Sequence, residues 1–409
     1  MICSMSGYIL IIGTFDTKNE ELTFLKDQIL SRSQAVRSLD AGILQPSPEE
    51  VDVSNEKVAT AGGQPLPELV RQRDRGKAVA VMAAGAARIT RELFAKAEIS
   101  GVISLGGGAG TAIGTSAMRA LPVGIPKVMV SSMASGNIRP YVGTSDITMM
   151  ASVVDISGLN RISRKILQNA AAAVCGMVER GEEKTGGDRP LIAATMFGVT
   201  TPCVTEAKRI LEENGYEVLV FHANGPGGMA MEQLIEEDQI QAVLDITTTE
   251  LPDELLGGKG SAGPHRLEKA GEKGIPQVVV PGAMDMVNYF PDGVPPQFGH
   301  RLLYQHNPAT VLMRTNVEEN RHLGEIMARK LSRSKGPTSV FIPLGGFSAI
   351  DAPGQPFFLP RANQAFVEGL KKNLPSHIPV IEKETHINDP SFSREVASAL
   401  LDLLKRRPG

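Results

Sequence analysis

Short, unbroken apolar runs recur along this chain, each ending at a turn that leads into a helix-like stretch. The first is residues 8–12 (YILII), followed by Gly13-Thr14-Phe15-Asp16-Thr17-Lys18 and then 19–30, apolar at 22, 25 and 29. The same order returns at 77–82 (KAVAVM) with 86–97, and at 101–105 (GVISL) with a glycine turn and 111–120. Residues 126–131 (PKVMVS) make a further strand. A run apolar at every position is buried on both faces. Such strands alternating with helices predict a parallel sheet covered on both sides. The segment 39–67 fits no regular element; its four prolines and paired glycines predict a long surface excursion.

At 409 residues the chain is too long for one core, so two domains are expected. The polar stretch at 181–190 (GEEKTGGDRP) reads as the linker. Beyond it the pattern restarts, with strands at 191–196, 216–221, 242–246, 276–280 and 339–343 and helices at 202–214 and 228–236. The segments 124–130 (GIPKVMV) and 274–280 (GIPQVVV) echo each other, as duplicated units would. The expected fold class is α/β, two Rossmann-like doubly wound lobes with mainly parallel sheets. Residues 1–180 form the first lobe and 190–409 the second.

A net charge of −3 gives no general attraction to nucleic acid or anionic membranes. The three cysteines, Cys3, Cys175 and Cys203, are too scattered for a disulfide framework or a metal knuckle. The run at 8–12 is too short for a signal peptide or a membrane span, so a cytoplasmic protein is expected.

Candidate chemistry gathers at strand ends, where open α/β sheets hold their ligands. Gly13, Thr14, Asp16, Thr17 and Lys18 join a strand to a helix start, whose free N–H groups suit phosphate. The hydroxyls and the lysine add donors and charge. Asp16 or Thr17 serves equally as a plain helix cap, with Glu20 completing it. Gly106, Gly107, Gly108, Ala109, Gly110 and Thr111 let backbone approach a ligand and form an anion-binding nest. Neither a dinucleotide fingerprint nor a P-loop is present. Ala134, Ser135 and Gly136 follow a third strand, with Thr144 and Asp146 behind; Asp146 is a candidate for a ribose hydroxyl or a Mg²⁺-bound water. These turns predict a nucleotide pocket in the first lobe.

The second lobe offers His222, Asp245, Glu250 and Asp285 at its strand ends. A histidine among carboxylates suits acid–base or metal chemistry. The spacing matches no compact zinc pattern. An alternative to simple nucleotide binding is therefore a metabolic enzyme, acting on a small phosphorylated or carboxylated metabolite through these residues. Loop ties and helix caps are the plainer roles for the same four side chains.

Several long motifs resemble a known family: IGTFDTKNEEL (12–22), GVISLGGGAGT (101–111), YVGTSDI (141–147) and VVDISGLN (153–160). In the second half VFHANGPGGMAME (220–232), VLDITTTEL (243–251), DAPG (351–354) and HINDP (386–390) do the same. The chain is similar to largely uncharacterised bacterial, fungal and plant proteins, among them the ATP-binding inhibitory domain of a tomato mosaic virus resistance protein. The resemblance implies ATP in the first lobe, a homodimer, and binding through the turn residues just named; the three Gly/Thr strand-end turns themselves are the ground for expecting Mg²⁺ with the nucleotide. The 39–67 segment shows little likeness to the plant one, so antiviral inhibition is not carried across.

Overall fold

The computed structural model describes residues 7–48, 50–180 and 189–405. They divide between Thr185 and Gly186 into two compact units. The linker residues 181–188 and Cys3 lie outside the described residues.

The first unit runs β1 (Tyr8–Gly13), α1 (Phe15–Leu30), β2 (Val36–Asp40), α2 (Asn55–Ala61), α3 (Leu66–Gln72), α4 (Arg75–Ala95), β3 (Ile99–Gly106) and α5 (Gly108–Arg119). It continues through β4 (Lys127–Ser131), α6 (Arg139–Val142), β5 (Thr148–Ala151) and α7 (Arg161–Arg180). Its five strands lie in the order β2-β1-β3-β4-β5, all parallel. Alternation along β1 explains the two cores. Leu10 and Ile12 face Val58, Met82 and Ile113 from α2, α4 and α5. Ile9 and Ile11 face Leu22, Leu25 and Val174 from α1 and α7. Each such side chain, fully buried, contributes about 1.5–3 kcal/mol.

Two expectations are corrected here. Residues 77–82 are not a strand but belong to α4, which runs unbroken from Arg75 to Ala95. Its buried positions, Ala78, Met82, Gly85 and Ala86, follow helical spacing, and alanine is the strongest helix former. Asp74 caps it by accepting from the Lys77 N–H at 3.0 Å. The segment 39–67 is not irregular throughout: it ends β2, contains α2 and opens α3.

The second unit begins with β6 (Leu191–Met196), α8 (Thr201–Glu213), β7 (Glu217–His222), α9 (Pro226–Glu236), β8 (Ala242–Thr247), α10 (Glu250–Leu256), α11 (Lys269–Lys273) and β9 (Gln277–Gly282). Three antiparallel strands follow, β10 (Met286–Tyr289), β11 (Leu303–Asn307) and β12 (Thr310–Arg314), paired as β10-β12-β11. The chain then adds α12 (Val317–Leu331), β13 (Thr338–Pro343), α13 (Pro360–Asn373), β14 (Val380–Lys383) and α14 (Pro390–Lys405). The main sheet is parallel, ordered β14-β13-β9-β8-β6-β7. Counted from each unit's own first strand, both sheets open with the order 2-1-3-4-5. Both are Rossmann-like, and in both the strand order reverses between the first and third strands. That crevice is where a doubly wound sheet receives a ligand.

Candidate functional site

In the first unit the crevice is open. A cavity of about 720 Å³ lies beyond the carboxyl ends of β1, β2 and β3. One bank is polar: Thr14, Thr17 and Lys18 after β1 face Gly106–Gly110 after β3. The other wall is apolar, with Leu69 and Val70 from α3 and Ala78, Val79 and Met82 from α4. Leu69, Ala78 and Met82 are buried, whereas Gly108, Arg73 and Arg75 are exposed at the mouth. The cavity is apolar in its depth and polar at its rim.

Each turn has a local cause. Helix α5 begins at Gly108 with no side-chain cap, so its first N–H groups remain available to a ligand. A Cβ on Gly106 would stand 2.7 Å from the Gly110 Cα, so only glycine lets this turn close. Thr111 is buried beneath it, its Oγ1 2.6 Å from Ser131 Oγ, tying the turn to the end of β4. In the other turn the hydroxyls of Thr14 and Thr17 lie 2.9 Å apart. Lys18 departs from helical geometry, and its Nζ donates to the Ile156 carbonyl beside the lining residue Asp155.

Asp16 lines the cavity with one oxygen engaged: its Oδ2 accepts from the N–H groups of Ile43 and Leu44, both at 2.8 Å, and so holds the loop after β2 against the site, while its Oδ1 is buried without a partner. Gly13 lies behind the turn, packed under Leu22. Ala134, Ser135 and Gly136 follow β4 but do not reach the lining, and neither do Thr111 and Thr144. Asp146 precedes β5, which puts it at the amino edge of the sheet, opposite the cavity. There it pairs with buried Lys127 at 2.6 Å and accepts from the Gly124 N–H at 2.8 Å. The sequence misses the α4 lining residues because 77–82 reads as a strand, and Asp74 before an alanine-rich stripe is the signal that finds them; it misses those of α3 because that helix opens inside the segment read as irregular.

In the second unit the equivalent ground is filled by the protein itself. Arg266, fully buried, donates to both oxygens of Asp245 at 2.6 and 2.7 Å and to Glu250 at 2.5 Å. Glu232 lies 3.4 Å from the same guanidinium. Glu250 also accepts from the N–H groups of Gly225 and Gly228, at 2.8 and 3.1 Å. Burial pushes the Glu250 and Glu232 carboxyls up, against the pull of Arg266. Burial works against the Arg266 charge, but the carboxylates outweigh it and hold its pKa well above the usual value. Asp245 and Glu250 thus meet as an internal ion cluster.

Asp285 belongs to another group. It is buried, accepts from Ser348 Oγ at 2.8 Å, and is pushed up to about 7 by burial and by the nearby Asp351 charge. His222 is exposed at the end of edge strand β7, stacked on Phe197 with ring centroids 5.2 Å apart. Three strand spacings, about 14 Å, separate β7 from β9. Cys203 is buried, its thiol pushed up to about 12 by that burial. No helix among the described residues is long and apolar enough to cross a membrane.

One carboxyl offers a direct test of burial. Asp253 is pushed from 3.8 up to about 7 by burial, although Asn288 donates to it through its backbone N–H and its side chain, at 2.6 and 2.8 Å. The folded state therefore holds the proton more tightly than the unfolded one. The stability this brings is full below pH 3.8 and lost as pH rises through about 7. Asn288 Oδ1 is buried without a partner, so a flipped amide could accept from an asparagine at 253. Asp253→Asn is expected to stabilise the fold above pH 7 by about 1 kcal/mol or more, roughly 2–4 °C in a unit of this size. Melting curves at pH 5 and pH 8 check this: the gain should be present at pH 8 and shrink at pH 5.

Two family models match the chain, the N-terminal domain of an uncharacterised protein family (UPF0261) over residues 7–183 and its C-terminal domain over 189–404. The chain belongs to the UPF0261 family. A UPF0261 protein of Clostridium tetani is 49% identical over 98% of this chain and 100% of its own length. One from Mesorhizobium japonicum is 43% identical over 97% of this chain and 99% of its own length. The tomato ToMV resistance protein Tm-1(GCR237) is 37% identical over 98% of this chain, which spans 56% of that protein. Among solved structures, a Streptomyces glycosyltransferase complexed with thymidine diphosphate aligns over 98% of this chain and 96% of its own, at 12% identity. Its TM-score of 0.17 is too low to carry an argument.

Proposed function

We propose that the N-terminal unit binds a nucleotide, ATP together with Mg²⁺. The observation that carries this reading is the cavity at the β1/β3 crevice, apolar at depth and lined at its rim by an uncapped helix start. The base would occupy the apolar pit against Leu69, Ala78 and Met82. The phosphates would lie along Gly107–Gly110, opposite Thr14, Thr17 and Lys18. The volume is within the range of small-molecule sites. Among the described residues no group of three or more His, Cys, Asp or Glu side chains could hold a metal alone. Mg²⁺ fits this site as a cation brought in by phosphates, the usual mode for that ion, with Asp155 and the threonine hydroxyls as neighbours. A homodimer is part of the proposal on the family resemblance, and light scattering tests it.

Calorimetry on the full chain with ATP, ADP, AMP and adenosine tests the ligand. Binding of ATP is expected to require Mg²⁺, and Lys18→Ala should weaken ATP more than adenosine, since the lysine adds charge rather than contact with the base. Absence of heat with all four at millimolar concentration overturns the reading.

A further inference from the structure

We propose that Arg73 and Arg75 grip the outer end of the bound nucleotide, so that the site selects a polyphosphate tail over a single phosphate. This rests on the nucleotide reading above. Both residues line the cavity and both are exposed at its mouth. Among the described residues no hydrogen bond, ion pair or ring contact engages either guanidinium. The acid between them does not neutralise them by pairing, because Asp74 turns back to cap α4.

Local physics favours neither arginine where it stands. Arg73 ends α3 in the left-handed region, φ 52° and ψ 22°, a position that suits glycine and strains other residues. Arg75 is the first residue of α4, where the helix dipole opposes a cation. Backbone comfort explains neither residue, whereas a bound polyanion would compensate both. The direction of the ligand follows from the burial gradient. With the base in the apolar pit, the tail runs outward past Gly107–Gly110 to the rim, where these two forks close the opposite bank. Arginine's planar fork matches phosphate oxygens two at a time.

The strained position supplies a clean test. Arg73→Gly removes the cation and relieves the backbone, so the melting temperature should hold or rise. In calorimetry with Mg²⁺, ATP affinity is expected to fall at least about tenfold in Arg73→Gly and in Arg75→Ala, the loss of one charge-assisted contact each. AMP should weaken by less than about threefold, with ADP between. Inorganic tripolyphosphate, tested as a competitor of ATP, should displace it from the native chain and poorly from either variant. Equal losses for ATP and AMP, or no loss for ATP, overturn the proposal while leaving nucleotide binding in place. A native chain that binds no nucleotide overturns both.

Discussion

Gly107→Asp is expected to remove ATP binding while leaving the fold intact or slightly firmer. Gly107 has φ −79° and ψ −157°, extended geometry open to any residue, and its added Cβ would stand 3.7 Å from Ser132 Oγ. It precedes α5 as an uncapped N-cap, the position where aspartate is among the best residues. The new carboxylate would therefore occupy the donors that the phosphates need and repel them as well. Two like charges about 4 Å apart at a protein surface cost roughly 4 kcal/mol, so a loss on the order of 100-fold or more follows. Calorimetry with Mg²⁺ and ATP measures the loss, and thermal melting reads the fold. Gly107→Asn separates the causes, being the same shape without the charge; it should retain more binding. An aspartate variant that keeps its ATP affinity would place the phosphates elsewhere.

The other large effect is expected at Arg266. Replacing it with methionine strands Asp245 and Glu250 in the interior, with Glu232 at their edge and no cation among them. Breaking a buried ion pair from one side costs about 3–5 kcal/mol, and more than one carboxylate is abandoned here. Against a total stability of roughly 5–15 kcal/mol this brings the second unit near unfolding. The variant should recover as pH falls, because protonation removes the stranded charges, and Glu250 and Glu232 are already pushed up by burial. Denaturant melts at pH 5 and pH 7.5 check both effects. Adding Asp245→Asn and Glu250→Gln should restore much of the loss. A midpoint that hardly moves in the single variant would mean that Arg266 does not hold this core.

Much of the architecture was legible because a parallel strand buried on both faces leaves a continuous apolar run. β1, β3, β4, β6, β8, β9 and β13 announce themselves in this way. β2 (VRSLD) does not, since its Ser38 and Asp40 are buried polar residues that bond to neighbouring loops, Ser38 donating to Asp52 and Asp40 accepting from the N–H groups of Phe15 and Gly42. Residues 77–82 misled for a related reason: small and branched apolar residues in sequence satisfy either period, and only the cap at Asp74 and the spacing to Ala86 choose the helix. The glycine turn and the residues from Thr14 to Lys18 could be placed at one edge because parallel strands deliver their carboxyl ends together. Asp146 could not, because no pattern showed that β5 begins just after it. Arg266 carries no sequence signal at all. Its partners converge only once the chain has folded, and an arginine in a polar loop ordinarily stays wet.

The closing helix of the second unit sets an order of assembly. Val396 and Leu400 of α14 pack with Val204 and Leu211 of α8, so the core started by β6 waits for residues from the far end of the unit. In the first unit, α7 completes the layer over β1 before any of the second unit's strands has been made. On the ribosome, where domains fold as they emerge, the N-terminal unit can mature while the C-terminal one is still an open sheet exposing apolar faces. Long-range closure of this kind is slow. The interval between the two events is the stretch of synthesis in which this chain is most in need of a chaperone.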